Sequence, residues 1–152
     1  TASALIQLAS IILSSADAVT SASAAGHAGV AQAMAGMLLL MPLHRRRGQV
    51  YIPLDMLAAA GLDRESFLEG KDTARIAGAI EIFCGHALDH LKKARQAQIP
   101  RAVFPAFIPV SLAGRVITDA RQAGAGLFEQ DIQPSQLRRQ WLLGKSSFLR
   151  RF

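Results

Sequence analysis

The 152-residue sequence contains a single cysteine, Cys84. One thiol excludes an internal disulfide framework and a multi-cysteine zinc site, so a disulfide-stapled secreted scaffold is out. Aromatic residues make up only 6% and charged residues 18% of the chain, and strand signals are almost absent. The 51% hydrophobic content is too high for intrinsic disorder. With so few aromatics, it points to helices packed through alanine and leucine. Acidic residues are scarce as well: eleven Asp and Glu against seventeen Lys and Arg give a net charge of +6, which favours an anionic partner. No signal-peptide pattern of charged, apolar and cleavage-site regions is visible. The first residue is Thr1 rather than Met, so the natural start is expected upstream. The longest weakly polar stretch, Gly29–Leu43, is interrupted by Gln32 and falls short of the roughly 20 apolar residues a membrane span needs. A buried helix is the expectation there, within one domain large enough for a sizeable core.

Helical periodicity fills most of the chain. Leu5, Leu8, Ile11 and Ile12 repeat at helical spacing before a break at Ser14–Asp17. A second helix is expected from about Thr20 to Met41, carrying Ala24, Ala25, Ala28, Ala31, Ala35 and Gly36, small residues that let neighbouring backbones approach closely. Pro42 should end it, since proline cannot continue an interior hydrogen-bond ladder. A basic loop then leads into an extended segment, after which Pro53 opens a short helix that Gly61 ends. Asp63 is placed to cap another short helix closed by Gly70. Asp72 caps the most periodic segment, in which Ile76, Ile80, Phe83, Ala87, Leu91 and Ala94 recur at steps of three or four and mark one buried face. Ile99–Pro100 breaks that helix, and the next starts within Ala102–Phe107 and ends near Gly124. Three parts are expected: a helical part over 1–124, a linker over 125–134 and a basic amphipathic helix over 135–152. The last contains Arg138, Arg139, Lys145, Arg150 and Arg151 and no acid.

The most informative segment reads His44-Arg45-Arg46-Arg47-Gly48-Gln49-Val50-Tyr51-Ile52-Pro53. It resembles the Arg-Gly-Arg-x-Tyr-Leu-Pro-like segment that follows a long helix in the squalene/phytoene synthase superfamily. Arg47, Gly48, Val50, Tyr51, Ile52 and Pro53 match, and Gln49 replaces the second arginine. The likeness extends upstream through Gly29 and Ala31 and downstream through His90, Ala94, Arg95 and Ala102–Phe107. It implies an all-α fold, a partial helical bundle of the isoprenoid-synthase type made of its C-terminal helices. Active members of the superfamily hold magnesium against the substrate diphosphate with an Asn-x-x-Arg-Asp-x-x-x-Asp motif just before this segment. Counted back without gaps from Gly48, the acidic positions fall near Leu40 and His44, and the arginine position at Leu39. No Asp or Glu occurs from Ala18 to Leu54, so a shift of one or two residues does not restore the site. Leucine offers no oxygen to a cation that demands oxygen ligands in near-octahedral array. The superfamily's first aspartate motif would lie upstream of Thr1, and about half of the usual bundle is expected to lie outside this chain.

A closer likeness is to the branch related to complex I (NADH dehydrogenase) assembly factor 6, in which an apolar helix with a proline and a histidine replaces the acidic motif. Gly29, Ala31, Gln32, Pro42, His44, Arg47, Val50 and Pro53 fit that variant in register. His90, Leu91, Lys92, Ala94, Arg95, Ala102, Phe104–Phe107 and Trp141 fit its later segments. This resemblance implies a catalytically silent protein that serves as an assembly or scaffolding factor for a respiratory complex at the membrane. Its implied location is cytoplasmic and peripheral on the inner membrane, or the mitochondrial matrix in a eukaryote. Two other readings stay open. One is a prenyl transferase condensing two isoprenoid diphosphates, with Mg²⁺ only if a part outside this chain supplies carboxylates. The other is a binder of prenyl diphosphates or lipids.

Arg45, Arg46, Arg47 and Tyr51 are the candidates for gripping a diphosphate or lipid headgroup, because the guanidinium fork donates two hydrogen bonds to phosphate oxygens. The alternative is a solvated loop with Tyr51 as a packing residue. Arg138, Arg139, Trp141, Arg150 and Arg151 are candidates for a membrane or partner surface, interleaved with Leu142, Leu143, Phe148 and Phe152 as in interfacial helices. The alternative is a helix packed on the bundle with its basic side in water. His86 and His90 sit four apart without a third ligand in view and are read as structural. Cys84 is read as a buried thiol, and Phe104, Pro105 and Phe107 as core. No catalytic residue, metal site or cofactor is expected. Uncovered apolar faces imply a homodimer; a respiratory-complex subunit, an anionic membrane surface and a prenyl diphosphate are the other partners considered. Nucleic acid is disfavoured, because Trp141 and Tyr51 alone give no stacking platform.

Overall fold

Small residues, caps and prolines set the helix boundaries in the computed structural model, which describes residues 1–152. It holds α-helices and two 3-10 segments and no strand. Helices α1 (Ala2–Leu13), α2 (Ser15–Thr20) and α3 (Ala22–Leu39) follow one another across breaks at Ser14 and Ser21. The Ser14 hydroxyl accepts from the Asp17 amide and satisfies one of the free donors at the start of α2. The chain then departs from the sequence-based expectation. Pro42 does not release it into a loop but sits in the first turn of α4 (Met41–Arg46), where an N–H would have no helical partner and the fixed φ suits the turn.

Helices α5 (Leu54–Ala59), α6 (Arg64–Glu69) and α7 (Thr73–Gln96) follow. Asp63 accepts from the Ser66 amide at 2.8 Å while its own amide donates to the Ser66 hydroxyl at 3.0 Å, a reciprocal capping box. Gly70 closes α6 at φ +76°, in the left-handed region that a side chain rarely adopts. The Asp72 carboxylate accepts from the Arg75 amide at 3.0 Å and starts α7. Ile76, Ile80, Phe83, Ala87, Leu91 and Ala94 are buried along the whole of α7, as their spacing requires. The expected helix after Pro100 begins instead as a 3-10 segment, Phe104–Val110, because Pro105 and Pro109 interrupt an α-helical ladder. It passes into α8 (Ser111–Ala123), a 3-10 turn (Gly124–Phe128) and α9 (Gln136–Leu149).

Helix α3 is the hub, packed against α7, α1 and α8. Its alanines bring these neighbours close. At Gly29 the approach is closest, since a Cβ there would collide with the Ser3 backbone of α1. The larger core joins Leu38, Met41, Leu57, Ile80, Phe83, Ile117 and Leu127, and the smaller joins Ile6, Ala28, Leu91, Val103, Phe107 and Val110. Leu127 and Phe128 lie in the stretch read from its glycines as a linker, yet both are buried in the larger core. Leu5, Leu8, Ile11 and Ile12 on α1 remain exposed.

Candidate functional site

The basic segment is shaped by the end of α4. Gly48, at φ +64°, turns the chain so that its amide donates to the Arg45 carbonyl and the Gln49 amide to the His44 carbonyl, each at 2.9 Å. Those bonds satisfy carbonyls that a helix end leaves free. Arg64 donates to the Gly48 carbonyl at 2.8 Å and ties the turn to α6.

The three arginines do not share one environment. Arg45 donates through Nε to the Leu68 carbonyl at 3.0 Å and through Nη2 to the Glu69 carbonyl at 2.9 Å. Its guanidinium lies 4.5 Å from the ring centroid of Phe128, a cation–π contact. Arg45 therefore caps the C-terminal end of α6, where a cation also complements the helix dipole. Arg46 and Arg47 are exposed and form no ion pair within the chain. Tyr51, 49% exposed, packs its ring against His44 with centroids 4.4 Å apart. A shallow cleft of about 380 Å³ opens between Pro42, Arg45, Arg46, Leu68, Phe128 and Glu129. The structure thus gathers Arg45 and Arg46 at one cleft, but only Arg46 among that pair has its donors uncommitted.

Leu40 and His44, the positions that a gap-free count from Gly48 assigns to the superfamily's magnesium carboxylates, do not fit a magnesium ion. Leu40 brings no ligand atom, and Met41 beside it is packed in the larger core. His44 offers nitrogen, whereas magnesium takes oxygen. Four acidic side chains are in ion pairs with Lys71, Arg75, Arg115 and Arg121, while Glu129 and Asp131 line a cleft with Leu39, Leu40 and Arg46. No three His, Cys, Asp or Glu side chains are grouped to hold a metal.

Cys84 is buried, and that burial, reinforced by the Glu81 charge and opposed by Arg121, pushes its thiol up to about 12. It is inert as a nucleophile. His90 does not pair with His86; its Nδ1 lies 3.0 Å from Nδ1 of His27 on α3. Withdrawal from water, then the neighbouring His27, Lys93 and His86, hold His90 below the ordinary histidine range, against the raising effect of Asp89. Neither His27 nor the Arg45–α6 bonds were foreseeable from spacing, because partners 63 and 23 residues apart leave no local signal.

The second basic region is α9. Ser135 caps it by accepting from the Arg138 amide. Arg138, Arg139, Trp141, Arg150 and Arg151 are all exposed, and Lys145 sits 4.9 Å from the Trp141 ring centroid. Phe152 stacks on Phe104 and Phe107, with Phe104 and Phe107 buried and Pro105 exposed.

Comparison with known proteins places these features in a family. Squalene/phytoene synthase matches residues 1–141. Complex I assembly factor 6 of the rat is 33% identical over 87 residues, which is 56% of this chain and 26% of the rat protein. The bovine protein of that name is 30% identical over 112 residues, 72% of this chain and 34% of its own length. The mouse protein is 27% identical over 116 residues, 75% of this chain and 35% of its own length. The chain thus spans about a third or less of the length of these relatives. No solved structure matches it. The helical architecture, the basic turn at Arg47–Gly48 and the match over nearly the whole chain agree, and the chain belongs to the squalene/phytoene synthase family.

Proposed function

We propose that this protein is a catalytically silent member of its family that serves as an assembly or scaffolding factor for a respiratory complex at the membrane. One observation carries the reading: by the gap-free count from Gly48, Leu40 and His44 stand where active members hold magnesium carboxylates, beside the core-packed Met41. The printed names of the relatives, NADH dehydrogenase (ubiquinone) complex I assembly factor 6, support the choice of complex I. No helix of these residues is long and apolar enough to cross a membrane; in this reading they attach peripherally, on the inner face of the respiratory membrane. Arg46 and Arg47 would take phosphate oxygens there, with Arg45 holding the turn in shape. The exposed row Leu5, Leu8 and Ile12 on α1 would pair with a second copy, because contiguous apolar patches are uncommon on monomers. Ile12→Glu then turns a dimer into a monomer by light scattering; a wild-type monomer contradicts the dimer.

The test of the main reading is deletion of the full-length protein in its own organism, followed by native gels for complex I. Assembled complex I is expected to fall and to return with the wild-type protein. Unchanged complex I contradicts the reading. A binder of prenyl diphosphates is the second reading, favoured by the uncommitted donors of Arg46 beside the cleft.

A further inference from the structure

Helix α9 is oriented against the usual rule for a surface helix. Leu137, Trp141 and Phe148 are spaced by four and seven residues and so share one face. That face points to solvent, with the three side chains 80%, 61% and 88% exposed. The side turned to the bundle buries only Ser146, whose hydroxyl has no hydrogen-bond partner, and half-buries Leu142 and Leu143. A helix driven by core packing would turn its tryptophan and phenylalanine inward. Arg138 and Lys145 flank the outward row, Arg139 lies toward the bundle side in a cleft with Leu39, Leu112 and Val116, Arg150 and Arg151 follow at the helix end, and no Asp or Glu follows Asp131. Where α9 ends, Arg150 and Arg151 join Arg95 around a cleft of about 390 Å³ floored by Ala97, Ile99, Phe104 and Phe152. Arg95 donates to the Phe152 main-chain oxygen and forms no ion pair with an Asp or Glu side chain.

We propose that α9 and the adjoining Arg95–Arg150–Arg151 cleft form a docking surface for an anionic lipid bilayer. Leu137, Trp141 and Phe148 enter the boundary between headgroups and acyl chains, and the arginines take lipid phosphates. Charge complementarity selects this occupant. A second copy docked on this row would bring Arg138 and Lys145 against the same two cations, with no acid on α9 to pair with them, which repels. An apolar row rimmed by arginines matches the cross-section of a membrane surface, where tryptophan seats its ring at headgroup depth. This deepens the membrane part of the proposed function and is independent of complex I.

Trp141 is the one tryptophan of these 152 residues and lies in the middle of the row, so the part of the emission that is lost in Trp141→Phe reports on insertion. Tryptophan fluorescence and sedimentation are followed with vesicles of phosphatidylcholine alone and of equal parts phosphatidylcholine and phosphatidylglycerol. The expected result is a blue shift and sedimentation with the mixed vesicles, both reversed by high salt, and neither with phosphatidylcholine alone. Arg150→Gln with Arg151→Gln weakens partitioning by about 25-fold, at the usual attraction per basic residue near an anionic surface. Phe148→Ser also weakens it while leaving thermal unfolding unchanged, because this side chain is almost fully exposed. No sedimentation with the mixed vesicles overturns the proposal, as does sedimentation without a blue shift, which means another surface binds. A blue shift that follows protein concentration without lipid assigns the row to a second copy and also overturns it. A blue shift with inorganic phosphate alone would do the same, by assigning the arginines to a free anion. Vesicle binding that fails while complex I still depends on the protein removes this surface and leaves the assembly role. The opposite outcome removes the role and leaves the surface.

Discussion

The chain has two arginine-rich segments, and the fold treats them in opposite ways. After α3, Arg45 is bonded to the carbonyls that end α6 and lies over Phe128, while Arg64 fastens the Gly48 turn. In α9 the cations have no carboxylate partner, and the aromatic side chains among them stand in solvent. The difference teaches that an arginine run in a sequence specifies charge but not its use. Where a helix end offers free carbonyls within reach, an arginine becomes part of the scaffold. Where no acceptor is in bonding contact, the charge is left for something outside the chain.

Substitutions can break or sharpen this contrast. Phe128→Ala should have the largest effect, a loss of about 3–5 kcal/mol as for buried aromatics, because Phe128 also meets Phe67 edge-on. Urea unfolding measures it, and a loss below that range would mean Phe128 does not anchor the turn. Arg45→Ala should follow, removing two bonds to carbonyls at a cost of about 1.5–3 kcal/mol. By contrast Arg46→Gln, Arg47→Gln and Trp141→Ala should each stay within about 0.5 kcal/mol of wild type, as exposed positions do. If Arg46 proved as important to folding as Arg45, the division within the basic segment would be lost.

A smaller effect comes from the His27–His90 contact, whose 3.0 Å Nδ1–Nδ1 separation requires at least one bare nitrogen. The unfolded chain protonates His90 near the ordinary value of 6.5, and the folded chain only at lower pH. As pH falls from 6.5, the unfolded state therefore binds protons first and stability declines, until the depressed folded value is passed. His90→Gln should flatten that part of the stability profile; an unchanged profile would remove His90 as its source.

How much of this was legible depends on distance along the chain. The buried face of α7 and the capping box at Asp63 rest on residues within a few positions of each other, and periodicity or spacing exposes them. Pro42 was ambiguous for a physical reason: a proline that ends one helix and a proline in the first turn of the next look alike in sequence. Gly124 and Gly126 signal a linker, and the burial of Leu127 and Phe128 within it depends on packing against distant helices. The partners of Arg45 and His90 come from other helices, so the basic segment could be found from sequence while the roles of its three arginines could not. The exposure of Trp141 likewise depends on which side of α9 meets α8, a tertiary outcome.

The proposal that this protein is catalytically silent is tested most directly by pyrophosphate release. The full-length protein is incubated with farnesyl diphosphate or geranylgeranyl diphosphate and Mg²⁺, beside an active family member as control. The account predicts no pyrophosphate above the protein-free blank. Mg²⁺-dependent release that is abolished by heat denaturation would contradict it and make the protein a prenyl transferase.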